Sequence, residues 1–156
     1  MDQVTPALRS LERSSLDFEV VRTERPSSVE ESASLQGIEV DQLLRTIVVR
    51  RAEDDYVFVL VPGGREIDWP RLRKHLGVRR LSLPSVDQAR EATGYERGAI
   101  TPLGSARPWP VIADASIPAD RRVAIGGGAH GVNLHVVAGD LIEHLGADVA
   151  EVTKRA

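Results

Sequence analysis

The chain has 156 residues, enough to bury one core, and its 42% hydrophobic and 28% charged content is that of a globular protein rather than a disordered or fibrous one. It has no cysteine, which excludes disulfides and thiolate chemistry, and its net charge of -3 gives no overall pull toward nucleic acid or an anionic membrane. No apolar run approaches the roughly 18 residues of a membrane helix, and MDQVTPALRSLERSS lacks the apolar stretch of a signal peptide, so a cytoplasmic protein with no membrane partner is expected.

Val4 to Leu16 places Leu8, Leu11 and Leu16 at near-helical spacing, with Pro6 suited to a first turn. DFEVV (17–21) reads as a short strand. Ser27 or Ser28 can cap a second helix, Glu30 and Glu31 suit its first turn, and Gly37 suits its end. RTIVVRR (45–51) and YVFVLV (56–61) are rich in β-branched residues and joined by the acidic turn AEDD, which predicts an antiparallel hairpin. Their nearly continuous apolar runs predict central strands covered on both faces. Asp68 caps a helix through WPRLRKHLG, VRRLSL (78–83) reads as a strand, and SVDQAREATG as a helix closed by Gly94. PVIADAS, RRVAIGG and GVNLHVV read as strands, GDLIEHLG as a helix, and DVAEVT as one final strand. Strands in runs, some adjacent and some separated by helices, predict a single α+β domain over residues 1–156 with a mixed sheet flanked by helices.

Charge is unevenly spread. Residues 45–80 carry nine basic and five acidic side chains, net +4, so the remainder is net -7. That basic middle is either an RNA-facing surface or a solvated set of strand edges.

Four histidines occur, at 75, 130, 135 and 144. His130 and His135 differ by an odd number along an expected strand and so would point to opposite faces. No HExxH or carboxylate cluster accompanies them, and no metal or cofactor is expected. GGGAHG (126–131) lacks the GK[ST] ending of a phosphate loop. It reads either as a flexible hairpin or as a backbone wall whose free N–H groups can approach a ligand. No serine sits in a GxSxG elbow. In GYERGAITPLG (94–104), three glycines and a proline are more than a surface turn needs.

Three segments in order, LLRTIVVR, GYERGAITPLG and VAIGGGAHGVNLHV followed by GDLIEHL, resemble the YbaK/EbsC family of free-standing aminoacyl-tRNA editing domains, related to the insertion domain of bacterial prolyl-tRNA synthetases. The likeness runs from about Ser27 to Ala150. It implies a mixed, partly closed β-sheet with helices around it, and hydrolysis in trans of the ester joining a wrong amino acid to the tRNA 3′ end. Gly98, Ala99, Ile100, Thr101 and Pro102 would then form the Gly-x-x-x-Pro substrate loop whose amides stabilise the oxyanion. Arg45 stands where the family has a lysine that meets substrate or the terminal phosphate. Tyr95 and Gly104 match as loop-shaping positions. Gly126, Gly127, Gly128, His130 and Asn133 would line the opposite wall, where His130 reads either as a solvent-facing turn residue or as a group orienting the tRNA end or a water. Trp69 and Trp109 are candidates for stacking on a base, Trp69 reading otherwise as a packing residue at a helix start.

Ala99 and Thr101 replace a glycine and a serine of the motif. Gly126 and Asn133 stand where cysteine-editing members tend to carry serine and aspartate, so the resemblance leaves the amino acid open. The implied partners are the 3′ end of an aminoacylated tRNA and, secondarily, a synthetase. The rival reading is a non-catalytic tRNA- or nucleotide-binding module that retains the pocket.

Overall fold

The computed structural model describes residues 4–156; the first three residues of the N-terminal stretch read above lie outside the described residues. Helix α1 (Pro6–Glu12) opens on Thr5, whose hydroxyl accepts the Leu8 N–H at 3.1 Å. It buries Ala7, Leu8 and Leu11 and stops short of Leu16. Ser14 ends it by turning both its N–H and its hydroxyl back to the Leu11 carbonyl, a local bond that competes with the helical ladder. Strand β1 is Glu19–Arg22 and helix α2 Val29–Gln36, capped by Ser28 and closed by Gly37 at φ 68°.

A single 3₁₀ turn (Val40–Gln42) leads into β2 (Leu43–Ala52), which pairs antiparallel with β3 (Asp55–Pro62). The hairpin turns at Asp54, whose φ of 54° lies in the left-handed region that aspartate tolerates. Then follow β4 (Arg65–Ile67), α3 (Trp69–Leu76), α4 (Val86–Thr93), β5 (Val111–Asp114), β6 (Arg122–Gly126), β7 (Val132–Val137), α5 (Ala138–Leu145), β8 (Asp148–Ala150) and β9 (Thr153–Arg155).

Seven strands form one sheet in the order β1-β7-β6-β2-β3-β5-β8, and β4 with β9 forms a second. The β2–β6, β3–β5 and β5–β8 pairs are parallel and the others antiparallel, so the sheet is mixed and the fold is α+β. The period of two along β3 divides the interior. Tyr56, Phe58 and Leu60 enter a core built with α1, Tyr95, Leu103, Ile125, Leu134 and Leu141. Val57, Val59 and Val61 enter another with Ile67, Leu72 of α3, Ile112 and Val152. The expectation of a central strand covered on both faces therefore holds for β3, which is buried from Tyr56 to Pro62.

Two strand expectations fail for identifiable reasons. VRRLSL is not a strand: only Ser82 pairs, exchanging two backbone bonds with Arg50. The ladder stops there because β2 bulges between Arg50 and Ala52, and Pro84 has no N–H with which to continue it. DVAEVT is not one strand but parts of two, in different sheets. Asp114 causes the break. Its Oδ1 accepts the N–H groups of Val152 and Thr153, both at 3.0 Å, which turns the chain out of β8 and into β9. Its Oδ2 accepts the Ser116 N–H and hydroxyl, and Arg65 lies 3.7 Å away. Burial pushes the Asp114 carboxyl up, but the donors around it outweigh burial and hold it below its ordinary value of 3.8.

Since the folded pKa is depressed, this carboxylate's stabilisation is present above about pH 4 and fades as pH falls through the folded value. Asp114→Asn is expected to lower unfolding free energy by about 2 kcal/mol at pH 7, because an amide cannot accept every donor there. Urea denaturation should show that gap shrinking at pH 3; a gap of equal size at both pH values would rule out the charged form as the cause.

Candidate functional site

A cleft of about 730 Å³ opens between the first half of β2, the loop after α4, the β6–β7 turn and the Leu83–Val86 segment. Gly98, Ala99 and Ile100 form one wall and Gly126 with Ala129–Asn133 the other. Cβ positions describe how closely the walls meet. At Gly98, whose φ is +88°, a Cβ would lie 3.0 Å from Cε1 of His130. At Gly126 it would lie 3.9 Å from the Ile100 carbonyl oxygen, in ordinary contact. His130 is thus half-buried and packed on the substrate-loop motif, rather than simply projecting into solvent.

The loop's backbone donors are not equivalent. The Ala99 N–H is taken by the Glu96 carbonyl at 2.9 Å. Thr101 is fully buried, and its hydroxyl accepts the Leu103 N–H at 3.3 Å. Gly98 and Ile100 line the cleft, and their amides have no hydrogen-bond acceptor among the described residues. They are the donors left for a ligand.

The remaining motif residues stand behind the walls and shape them. Tyr95 is buried and its hydroxyl donates to the Leu103 carbonyl at 2.6 Å, clasping the loop across its base. Burial pushes that hydroxyl up to about 12, a backbone contact at Ala7 pulling weakly the other way. Pro102 is half-buried at the start of a turn that closes on Ser105. Gly104 (φ +64°) lies against the Pro6 carbonyl, where any side chain would collide. Gly127 lies under Val132, and Gly128 (φ +92°) under Tyr95 and Thr5. Thr5 donates its hydroxyl to the Gly127 carbonyl at 2.5 Å, which ties α1 to the second wall.

Arg45 lines the cleft from β2. One terminal nitrogen donates to the Arg65 carbonyl, while its buried Nε has no partner. Beside it the Thr46 hydroxyl is also buried without a partner. Asn133 donates to the Val21 carbonyl at 3.3 Å. Arg25 and Arg97 complete the lining, which contains no carboxylate, so the cleft suits an anion. The sequence reading missed both arginines, although Arg97 lies inside GYERGAITPLG itself. Ser32 was missed too: it joins the cleft to a buried relay in which Gln36 donates to Ser32 Oγ at 3.0 Å and bonds His135 Nε2 at 3.0 Å. Burial, and then the nearby Arg122, hold His135 below its ordinary pKa, so the ring stays neutral and donates to Gln36.

Two expectations are corrected. His130 lies in the turn before β7, so strand alternation does not govern how it relates to His135. Trp109 is engaged within the fold rather than standing free for a base: its Nε1 donates to the Ala92 carbonyl at 2.9 Å, its ring and that of Tyr56 meet edge-to-face at 5.1 Å, and the Arg107 guanidinium lies over it at 4.1 Å. Trp69 packs against the second core.

The cleft is walled by glycines, has unpartnered amides in one wall and arginines around it, and has no carboxylate in its lining among the described residues. The model of the aminoacyl-tRNA editing domain family matches residues 23–144, and the chain belongs to that family, in its YbaK-type branch. Among relatives, a protein of Enterococcus faecalis named as a candidate Cys-tRNA(Pro)/Cys-tRNA(Cys) deacylase, EbsC, is 23% identical over 98% of this chain and 95% of its own length. The proline–tRNA ligase of Thermosipho melanesiensis is 30% identical over 70% of this chain, but only 19% of the ligase is covered. The chain therefore spans about a fifth of such ligases. The crystal structure of a candidate trans-editing enzyme for prolyl tRNA synthetase superposes with a TM-score of 0.82 at 22% identity, over 97% of this chain and 99% of that one, a likeness of fold. No helix among the described residues is long and apolar enough to cross a membrane.

The glycines separate into two kinds by the space around them. Gly104→Ala is expected to cost at least about 2 kcal/mol, combining left-handed strain with collision against Pro6. Gly126→Ala, with room for its methyl, should change the unfolding midpoint little while narrowing the cleft. Thermal unfolding of the two variants checks this, and similar losses in both would refute the distinction.

Proposed function

We propose that the protein is a cytoplasmic deacylase that frees a wrongly attached amino acid from the 3′ end of a tRNA. The observation that carries this reading is the convergence of the unpartnered Gly98 and Ile100 amides with His130 and Arg45 in a carboxylate-free cleft, within a chain of the aminoacyl-tRNA editing family. The chemical need is general. A synthetase pocket gains only about 1–3 kcal/mol from one methylene, so errors between similar amino acids call for a second, hydrolytic site.

In the proposed step a water oxygen bonds to the ester carbonyl carbon, and the carbonyl oxygen takes the negative charge. The Gly98 and Ile100 amides, held in place before the reaction, donate to that oxyanion. His130, packed on Gly98, orients the water. The bond from carbonyl carbon to ribose oxygen then breaks, one proton of the attacking water passes to that ribose oxygen to restore the hydroxyl, and the amino acid leaves as its carboxylic acid. Arg45 holds the terminal phosphate. The 3′ adenosine lies over the Gly126–His130 turn, with Gly126 and Asn133 bounding the space for the amino-acid side chain. EbsC's name points to cysteine. Glycine and asparagine here present no hydroxyl or carboxylate from those positions, and the assay therefore covers several amino acids. A synthetase relative is the candidate protein partner.

The test is deacylation of tRNAs carrying alanine, cysteine, serine or threonine on proline and other acceptors. At least one should be hydrolysed well above the buffer rate, and Gly98→Ala, which displaces His130 and strains the loop, should slow it roughly tenfold or more. Arg45→Ala should weaken tRNA binding more than Arg45→Lys and reduce the salt slope. Retained tRNA binding with no hydrolysis on any acceptor would sink the deacylase reading in favour of a binding module.

A further inference from the structure

Next to the cleft lies a second hollow, of about 480 Å³, lined by Arg50, Arg51, Arg73, Arg79 and Arg80 with Leu81 and Ser82. Five of its seven lining residues are arginines and none is acidic. They come from three places: the end of β2, helix α3, and the 78–82 segment that Ser82 fastens to Arg50. Arg51 is paired with Asp55 at 2.9 Å. Arg73, Arg79 and Arg80 have no ion pair among the described residues. The Arg50 Nε is buried and has no hydrogen-bond partner. Holding five guanidinium groups together when four of them have no ion pair among the described residues is unfavourable in the free protein, and an anion relieves it.

We propose that this hollow binds backbone phosphates of the double-stranded acceptor stem of the tRNA whose 3′ end enters the cleft. The inference rests on the deacylase or tRNA-binding reading of the cleft for the identity of the RNA, but not on turnover. Three observations favour RNA over an acidic protein. The lining offers forked donors that match phosphate oxygens in pairs. Its single apolar residue, half-buried Leu81, provides no aromatic or aliphatic anchor of the kind a protein interface is built around. And one continuous segment borders both hollows: residues 81 and 82 line this one while residues 83–86 line the cleft. The backbone positions of Arg45 and Arg50 are five apart on β2, about 17 Å along the strand at 3.3 Å per residue, and their side chains leave on opposite faces of it. A few unpaired nucleotides span that distance, so the strand end can reach the Gly98 loop while the duplex rests on the arginines. The cleft would read the ester and the hollow would supply affinity without sequence preference.

The exposed pair Arg79 and Arg80 gives the least invasive test. Binding of uncharged tRNA, and of a five-nucleotide single strand ending in CCA, would be measured by fluorescence anisotropy across a salt series. Relative to wild type, R79Q/R80Q should lose about tenfold or more in tRNA affinity at low salt, and the slope of log K against log salt should fall by about two. Its affinity for the CCA strand should not change, and the slope should return in R79K/R80K. Circular dichroism and unfolding midpoints establish that the variants fold. Unchanged tRNA affinity and slope would overturn the proposal, as would equal losses on both probes. Unchanged tRNA binding together with lost binding of polyglutamate would overturn it in favour of an acidic protein partner. The cleft reading fails on the other arm, if Arg45→Ala leaves CCA-strand binding intact, so the two failures can be told apart.

Discussion

The hydroxyl of Thr5 holds two parts of the molecule at once. It accepts the Leu8 N–H to start α1, and it donates to the Gly127 carbonyl 122 residues away. Around this bond, Gly128 fits beneath Thr5 and Tyr95, Gly104 fits beneath the Pro6 carbonyl, and Tyr95 reaches the Leu103 carbonyl. The N-terminus of α1 is therefore a wedge against which both glycine-rich walls are set. Gly104 and Gly128 are packed directly against that wedge. This explains why GYERGAITPLG holds more glycine than a turn requires: Gly94 closes α4, Gly104 passes under α1, and only Gly98 lines the cleft. The wedge lies outside residues 23–144, so the family-wide part of the domain is held in shape by residues beyond it.

Packing and charge are divided between the two sides of the chain in a similar way. β3 is covered on both faces and commits its side chains alternately to two cores, leaving no polar surface for a ligand. β2, next to it, is only partly covered between Arg45 and Ile47, and there the cleft forms. The strand that is less well packed is the one that lines the cleft. Of the four buried side-chain donors and hydroxyls without partners among the described residues, three, at Arg45, Thr46 and Arg50, lie on β2, and the fourth is Ser105. Unpaired polar groups cost stability unless something arrives to satisfy them, and here they mark where ligands are expected.

What the sequence made legible follows from the range of the forces involved. The ends of α2, α3 and α4 were readable because Gly37, Gly77 and Gly94 act within one turn, each in the left-handed conformation that a C-cap needs. The β2–β3 hairpin was readable from its alternation and its acidic turn. Long-range partners were not. Nothing in ADASIPAD announces that Asp114 will bind two amides of residues 152 and 153 and divide a strand between two sheets. β4 was missed because three residues, Arg65–Ile67, carry no periodicity, and its partner β9 depends on that same division. The two segments singled out by the resemblance line one cleft, at Gly98–Ile100 and at Gly126, His130 and Asn133. The resemblance could not say that the Ala99 amide is already occupied, or that Arg25 and Arg97 face the same space as Arg45.

Arginine at position 45 is better understood from its surroundings than from comparison with lysine alone. A lysine ammonium is a single point of charge, and a bond to the Arg65 carbonyl would use the same nitrogen that must meet a ligand. The guanidinium separates those tasks. One terminal nitrogen is fixed to the Arg65 carbonyl, which removes much of the side chain's freedom in advance, and the other donors remain without partners. Arg65 is itself anchored, its Nε donating to the Thr153 hydroxyl at 2.7 Å with Asp114 3.7 Å away. A chain of contacts thus runs from the Asp114 hub through Arg65 to Arg45, from the division between the sheets to the edge of the cleft. On the proposed reading, the exchange of lysine for arginine keeps the charge and adds a fixed orientation. That favours steady capture of a phosphate over a mobile contact during the reaction, and leaves the work at the ester to the backbone of Gly98 and Ile100.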